Sequence, residues 1–220
     1  MVLFLYLYAR ELTTVNFCYQ EININKNTTV LWCEKLREIM ARCVLRKGEA
    51  CIGGKGRIVE VDESCFARSK SRKGRKSPQQ WVFGGIERRS KKMFLVKVKK
   101  RDTVSLIAQI RKHVKIGTTI ISDKWSAYNT RQLTDLGYKH SSVNHSENFV
   151  DKKDKNVHTQ NIECTWRLAK HRNKLRCGTH RSMMEGYLCE FMYRRMHANC
   201  DDIFRQILKD MAEFTPPVED

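Results

Sequence analysis

Four residues carry the chemistry that this sequence could do. Asp62 stands in VDES, Asp123 in ISDKW and Glu163 in HTQNIECTWRLAKH, with Lys170 seven residues further on. Seven residues is two helical turns, so Glu163 and Lys170 project from one face of a helix. The flanking patterns put Asp62 and Asp123 at the ends of strands. Neighbouring strands that end in carboxylates, with a helix bringing a third, can converge on one point. Carboxylates packed together repel one another, and burial raises their pKa values. A divalent cation resolves that conflict, and Mg²⁺ or Mn²⁺ prefers oxygen ligands. Two such ions ~3.5–4 Å apart activate a water or a 3′-hydroxyl and stabilise the leaving oxygen of an in-line displacement. Each residue alone has a plainer reading, the aspartates as turn or helix caps and the glutamate as a solvated side chain. Their order on successive elements favours a site.

The charge says what such a site would act on. Among 220 residues, 42 Lys and Arg stand against 24 Asp and Glu, a net charge of +18. That balance suggests a polyanionic partner, with nucleic acid the expected one, the plainer reading being a merely soluble basic protein. The stretch ARSKSRKGRKSPQQ holds Arg68, Lys70, Arg72, Lys73, Arg75 and Lys76. Emerging beside Asp62, it could grip a phosphate backbone, or it is a solvated hairpin tip. Lys124 and Arg167 join it as expected DNA-facing cations, with Arg194 and Arg195 as a further basic edge. Trp125 could stack on a base or sit in the core, and His158 could orient a ligand or simply open its helix. Nine cysteines are scattered singly with no C-x-x-C pair, which excludes zinc-ribbon spacing and points to reduced thiols inside a cell. The apolar start MVLFLYLYAR is too short for a bilayer and reads as a helix of the fold.

The elements that must position these residues divide the chain. Residues 1–56 read as helical: Trp32, Leu36, Ile39, Met40, Cys43 and Val44 form one apolar stripe, with Asn27 or Thr28 as its cap. A shorter helix before it gives the outline of a helix-turn-helix, or of a helical hairpin that only packs on the next domain. The glycine-rich residues 48–57 read as a linker. Beyond it come strands at RIVEVDES, QWVFGGIER and MFLVKVKK, a helix at TVSLIAQIRKHV, a strand at GTTIISDKW, a helix closed by Gly137, a strand at KHSSVNH and three helices. The expected fold class is α/β, a mixed five-stranded sheet with flanking helices over residues 57–214, followed by a tail, 215–220.

Taken together, VDES, QWVFGGIER, GTTIISDKWSAY, VNHSENFV and HTQNIECTWRLAKH resemble the DDE transposase domain of the ISXO-like insertion-sequence family and its animal relatives, the Merlin-type transposons. The resemblance covers about residues 57–200. It implies a ribonuclease-H-like, retroviral-integrase-like fold that cuts and joins transposon ends with Mg²⁺ or Mn²⁺. It further implies that Asp62, Asp123 and Glu163 are the catalytic, metal-binding carboxylates and that Lys170 touches DNA. The expected partners are transposon ends, target DNA and further copies of the chain, with no membrane, and the expected compartment is the nucleus in a eukaryote. The other reading is a domesticated, non-catalytic DNA-binding protein. Bacterial relatives read H-T-N where this chain has His158, Thr159 and Gln160, and they often carry a zinc-binding segment upstream.

Overall fold

A computed structural model describes residues 1–47, 51–67, 79–124, 128–143, 157–176, 178–200 and 202–214. In chain order the elements are α1 (Val2–Ala9), α2 (Val15–Glu21), α3 (Lys26–Lys47), β1 (Ile52–Gly53), β2 (Ile58–Ala67), β3 (Gln80–Glu87), β4 (Met93–Val98), α4 (Thr103–His113), β5 (Val114–Lys115), β6 (Thr119–Asp123), α5 (Thr130–Asp135), β7 (Lys139–Val143), α6 (Gln160–Leu175), a 3₁₀ turn (Arg181–Met183), α7 (Met184–Met196) and α8 (Ile203–Phe214). They form two compact units, one of Ala50–Glu185 and one of Met1–Glu49 with Gly186–Asp220.

The larger unit is built on β2, whose pattern IVEVDESCFA alternates apolar and acidic residues. Alternation at period 2 sends Val59 and Val61 to one face and Glu60 and Asp62 to the other. The sheet order is β4-β3-β2-β6-β7. β3 pairs antiparallel with β2 and with β4, while β6 runs parallel to β2 and β7 parallel to β6. This order and these directions are the ribonuclease-H-like arrangement. On the Val59 face, Phe83, Phe94 and Ile120 close a core with Leu106 and Ile110 of α4 and Leu133 of α5. Asp102 caps α4 by accepting from the Ser105 N–H at 2.8 Å, and Arg111, Lys112 and His113 complement its C-terminal dipole. The opposite face carries α6, with Ile162, Thr165, Trp166 and Ala169 buried.

Two local expectations are corrected. The glycine-rich stretch is not a free linker from Cys51 onward, because Ile52 and Gly53 pair in parallel with Val114 and Lys115. Gly53 has φ +85°, and a Cβ there would lie 2.4 Å from Thr118 Oγ1, so glycine is what lets the backbone pass. The α3 cap is neither Asn27 nor Thr28: the helix begins at Lys26, and Asn25 Oδ1 accepts from the Asn27 N–H at 2.8 Å.

In the helical unit, Phe4 of α1 meets Trp32 of α3 edge-on at 5.0 Å. Tyr193 of α7 donates to Asp210 of α8 at 2.6 Å. The boundary read from sequence, 57–214, differs here, since residues from Gly186 onward group with the N-terminal helices. Arg194 is also not a DNA-facing edge. It is buried, donates to the Tyr8 and Ala9 carbonyls at 2.9 and 3.1 Å, and so satisfies the last turn of α1. Arg195 is exposed. No helix among the described residues is long and apolar enough to cross a membrane.

Candidate active site

β2 and β6 bring the two aspartates together. Their parallel register runs through Val59↔Ile120 and Glu60↔Ile121. The pairing ends there, and the same register carried two residues further sets Asp62 opposite Asp123, whose charge acts on it, on the face that α6 covers. Lys124 extends the ladder beyond Asp123, its N–H bonding the Val143 carbonyl at 2.9 Å. The proximity has an electrostatic consequence. Burial, then the charge of Glu63, and then that of Asp123 push the Asp62 carboxyl up to about 7, against hydrogen bonds from the Glu63 backbone and Trp166 that pull it down.

Trp166 comes from α6, and its indole Nε1 donates to Asp62 Oδ2 at 3.0 Å. The indole reaches that position because residue 84, which pairs with Asp62 across β2 and β3, is glycine. A Cβ on Gly84 would lie 2.6 Å from Trp166 Cη2 and from Leu95 Cδ2. Glu163 is on the same helix, one turn before Trp166, and its Oε1 accepts from Thr159 Oγ1 at 3.0 Å. Lys170 is exposed one turn beyond Trp166, with Nζ 5.9 Å from the Phe66 ring centre. Arg167 and Lys124 are exposed as well.

Among the described residues, no group of three or more His, Cys, Asp or Glu side chains is close enough to hold a metal ion. The structure thus joins Asp62 to Asp123, and it links Asp62 to the Glu163 helix through Trp166 rather than through a gathered triad. The six cations Arg68, Lys70, Arg72, Lys73, Arg75 and Lys76, and Trp125, lie outside the described residues.

Several residues around the aspartates escaped the sequence reading. Glu63, on the opposite face of β2, accepts from the Tyr128 hydroxyl and from Arg101 at 3.1 Å, and burial raises its carboxyl. The Arg101 guanidinium lies 4.0 Å from the centre of the Trp81 ring. Glu60 is fully buried at the start of α6, where it pairs with Arg88 at 2.6 Å. His158 sits beside it, with Nδ1 at 3.5 Å and its backbone carbonyl bonded by Arg88 at 2.6 Å, and burial lowers its pKa. The alternation of β2 could have flagged Glu60 as a facemate of Asp62. The partners of Glu63 are distant in the chain, and no local pattern announces them.

The family model of the ISXO2-like transposase domain matches residues 49–195. The chain belongs to this family. Solved structures similar to this ISXO2-like domain include the catalytic core domain of HTLV-2 integrase in complex with magnesium, at 14% identity and TM-score 0.42, covering 64% of this chain and 86% of that one. The simian T-cell lymphotropic virus intasome in complex with the PP2A regulatory subunit B56 gamma is similar at 14% identity and TM-score 0.44, covering 78% of this chain and 61% of that one. The catalytic core of BIV integrase is similar at 10% identity and TM-score 0.40, covering 71% of this chain and 97% of that one. No curated protein matches the chain.

Proposed function

We propose that this ISXO2-like transposase domain cuts DNA at transposon ends and joins the freed strands to target DNA, with Asp62, Asp123 and Glu163 as its catalytic carboxylates. The observation that carries the reading is the Asp62–Asp123 pair, level on neighbouring strands of a ribonuclease-H-like sheet, with Asp62 raised to about 7 by burial and neighbouring charge. Oxygen donors in mutual repulsion fit a hard divalent cation, so Mg²⁺ or Mn²⁺ suits the pair. When bound, the metal supplies activation of the attacking oxygen and stabilisation of the leaving one.

The chain's own residues then have distinct tasks. Asp62 and Asp123, with Glu163 from α6, are the residues that would hold the cation. Trp166 holds Asp62 in place through its indole N–H on Oδ2. Lys124, Arg167 and Lys170, with the six cations of residues 68–76, hold phosphates of end and target. In the first reaction water attacks phosphorus, the P–O3′ bond breaks, and a 3′-hydroxyl and a 5′-phosphate result. In the second that 3′-hydroxyl attacks a target phosphodiester, and the target's own 3′-oxygen leaves. One bond forms as one breaks in each, so no outside energy source is required. Joining two ends to one target calls for more than one copy of the chain on DNA, and a nuclear location in a eukaryotic host.

The α2–α3 pair is the candidate for end recognition. A four-residue turn separates the helices, with Asn23 at φ +51°. The exposed face of α3 mixes Lys26, Lys35, Arg42 and Arg46 with Glu34 and Glu38.

The test is a gel of end-labelled DNA with matching transposon ends, plasmid target and Mg²⁺. Wild type should give joined products. Asp62→Asn and Asp123→Asn should bind DNA and not join it, because each keeps the shape and removes the charge that holds the metal. Lys170→Ala should slow joining less. Wild type that binds but neither cuts nor joins, with Mn²⁺ also tried, overturns the reading in favour of a domesticated DNA-binding protein.

A further inference from the structure

Glu60 shares its face of β2 with Asp62 but is used differently. Its Oε1 accepts from Arg88 Nε at 2.6 Å and from Asn161 Nδ2 at 2.7 Å. Its Oε2 accepts from the backbone N–H groups of Asn161 at 2.8 Å and Ile162 at 3.0 Å. A carboxylate has about four lone-pair sites, and four donors fill them. Glu60 therefore has no oxygen left for a metal.

The backbone donors are the second and third N–H groups of α6, which have no partner inside the helix. Thr159, the residue at the cap position, makes no side-chain cap bond, so the capping acceptor comes from a strand about a hundred residues earlier in the chain. Asn161 is held a second time, its Oδ1 accepting from Lys91 Nζ at 2.8 Å. Arg88 also bonds the His158 carbonyl just before the helix. Both the rotation and the axial position of α6 against β2 are thereby set two residues from Asp62.

We propose that Glu60 is a positioning residue: its carboxylate docks the start of α6 on β2, and so decides where Trp166 and Glu163 stand relative to Asp62. The consequence for DNA joining rests on the transposase reading above, whereas the docking itself does not. Hydrogen-bond polarity gives the idea its test. Glu60→Gln has nearly the same shape, but its one oxygen serves only one pair of donors, and its NH2 faces the other, Arg88 with Asn161 Nδ2 or the Asn161 and Ile162 N–H groups. Asn161→Asp alone sets two carboxylates against each other. Together they exchange donor for acceptor across the contact and keep one negative charge in place.

The full-length chain is studied by NMR, following amide exchange in the first turn of α6 and the Trp166 indole N–H signal, assigned with Trp166→Phe. Glu60→Gln should speed exchange at Asn161 and Ile162 on the order of tenfold, and should move or broaden the indole signal. The Glu60→Gln/Asn161→Asp protein should recover most of both, which a variant that merely loses stability would not do. In the joining assay Glu60→Gln should lower turnover about tenfold with DNA affinity unchanged. Unaltered exchange and indole signals in Glu60→Gln, or a double variant no better than either single one, overturn the proposal. If wild type joins no DNA, the transposase reading fails, and the exchange and indole results still judge Glu60.

Discussion

Asp62 and Glu60 are separated by one residue and differ in what surrounds them. Glu60 is saturated with donors, while Asp62 keeps an indole N–H and the Glu63 backbone against two neighbouring acids. Its carboxyl rises from 3.8 to about 7, so between those values the folded chain holds a proton that the unfolded chain has released. The contribution of Asp62 to the stability of the metal-free protein therefore falls as pH rises from about 4 to about 7. Asp62→Asn removes the titration. In chelator, the Asn variant should gain on wild type between pH 5 and pH 8, by roughly 2–4 kcal/mol at the upper end. Denaturant unfolding at the two pH values measures this, and a gap that does not widen with pH refutes it. Trp166→Phe removes a bond that favours the charged form. The Asp62 carboxyl should then titrate at higher pH than in wild type, as followed by carboxyl NMR.

At the scale of elements, the contact between α6 and β3 depends on the missing side chain of Gly84. A methyl group there must displace Trp166 or Leu95, both within 2.6 Å of the added carbon. Gly84→Ala should cost about 1–3 kcal/mol by overpacking. It should also weaken joining to the extent that Trp166, rather than Leu95, gives way. Adding Trp166→Phe to Gly84→Ala should return part of the stability, since the smaller ring makes room. Thermal unfolding of the four proteins of this cycle decides it, and strictly additive losses would show that the two sites do not meet. On the other face, Leu106 is fully buried between α4 and the sheet, and Leu106→Ala should cost about 2–5 kcal/mol without changing the Trp166–Asp62 bond.

For the whole molecule, the net charge of +18 governs how DNA is met. Affinity should fall steeply with salt, each neutralised phosphate adding ~0.9 to the log–log slope on duplex DNA. Neutralising Arg68, Lys70, Arg72, Lys73, Arg75 and Lys76 together should flatten the slope by several phosphates' worth if that stretch lies on DNA. An unchanged slope assigns it to solvent. Mg²⁺ should raise the melting temperature, as any ligand of the folded state does, and the triple replacement of Asp62, Asp123 and Glu163 should remove that rise.

Much of this was legible in the residues alone. Strand and helix periods located the five-stranded sheet, α4 and α6, because apolar alternation and apolar stripes are local consequences of burying one side of an element. VDES and ISDKW placed Asp62 and Asp123 on strands for the same reason, but only Asp123 ends its strand, Asp62 lying in the middle of β2. Other features depended on residues distant in the chain. The register of β2 on β6 made the aspartates level, Gly84 admitted Trp166 to Asp62, and Glu60 met the start of α6 across about a hundred residues. Arg194, which reads as a surface cation, became the buried cap of α1. Residues 186–214 look like a continuation of the preceding domain and pack instead with the first helices. Local pattern records which side of an element is buried. Which element covers that side, and which donor meets which carboxylate, is decided only when distant segments compete for the same surface.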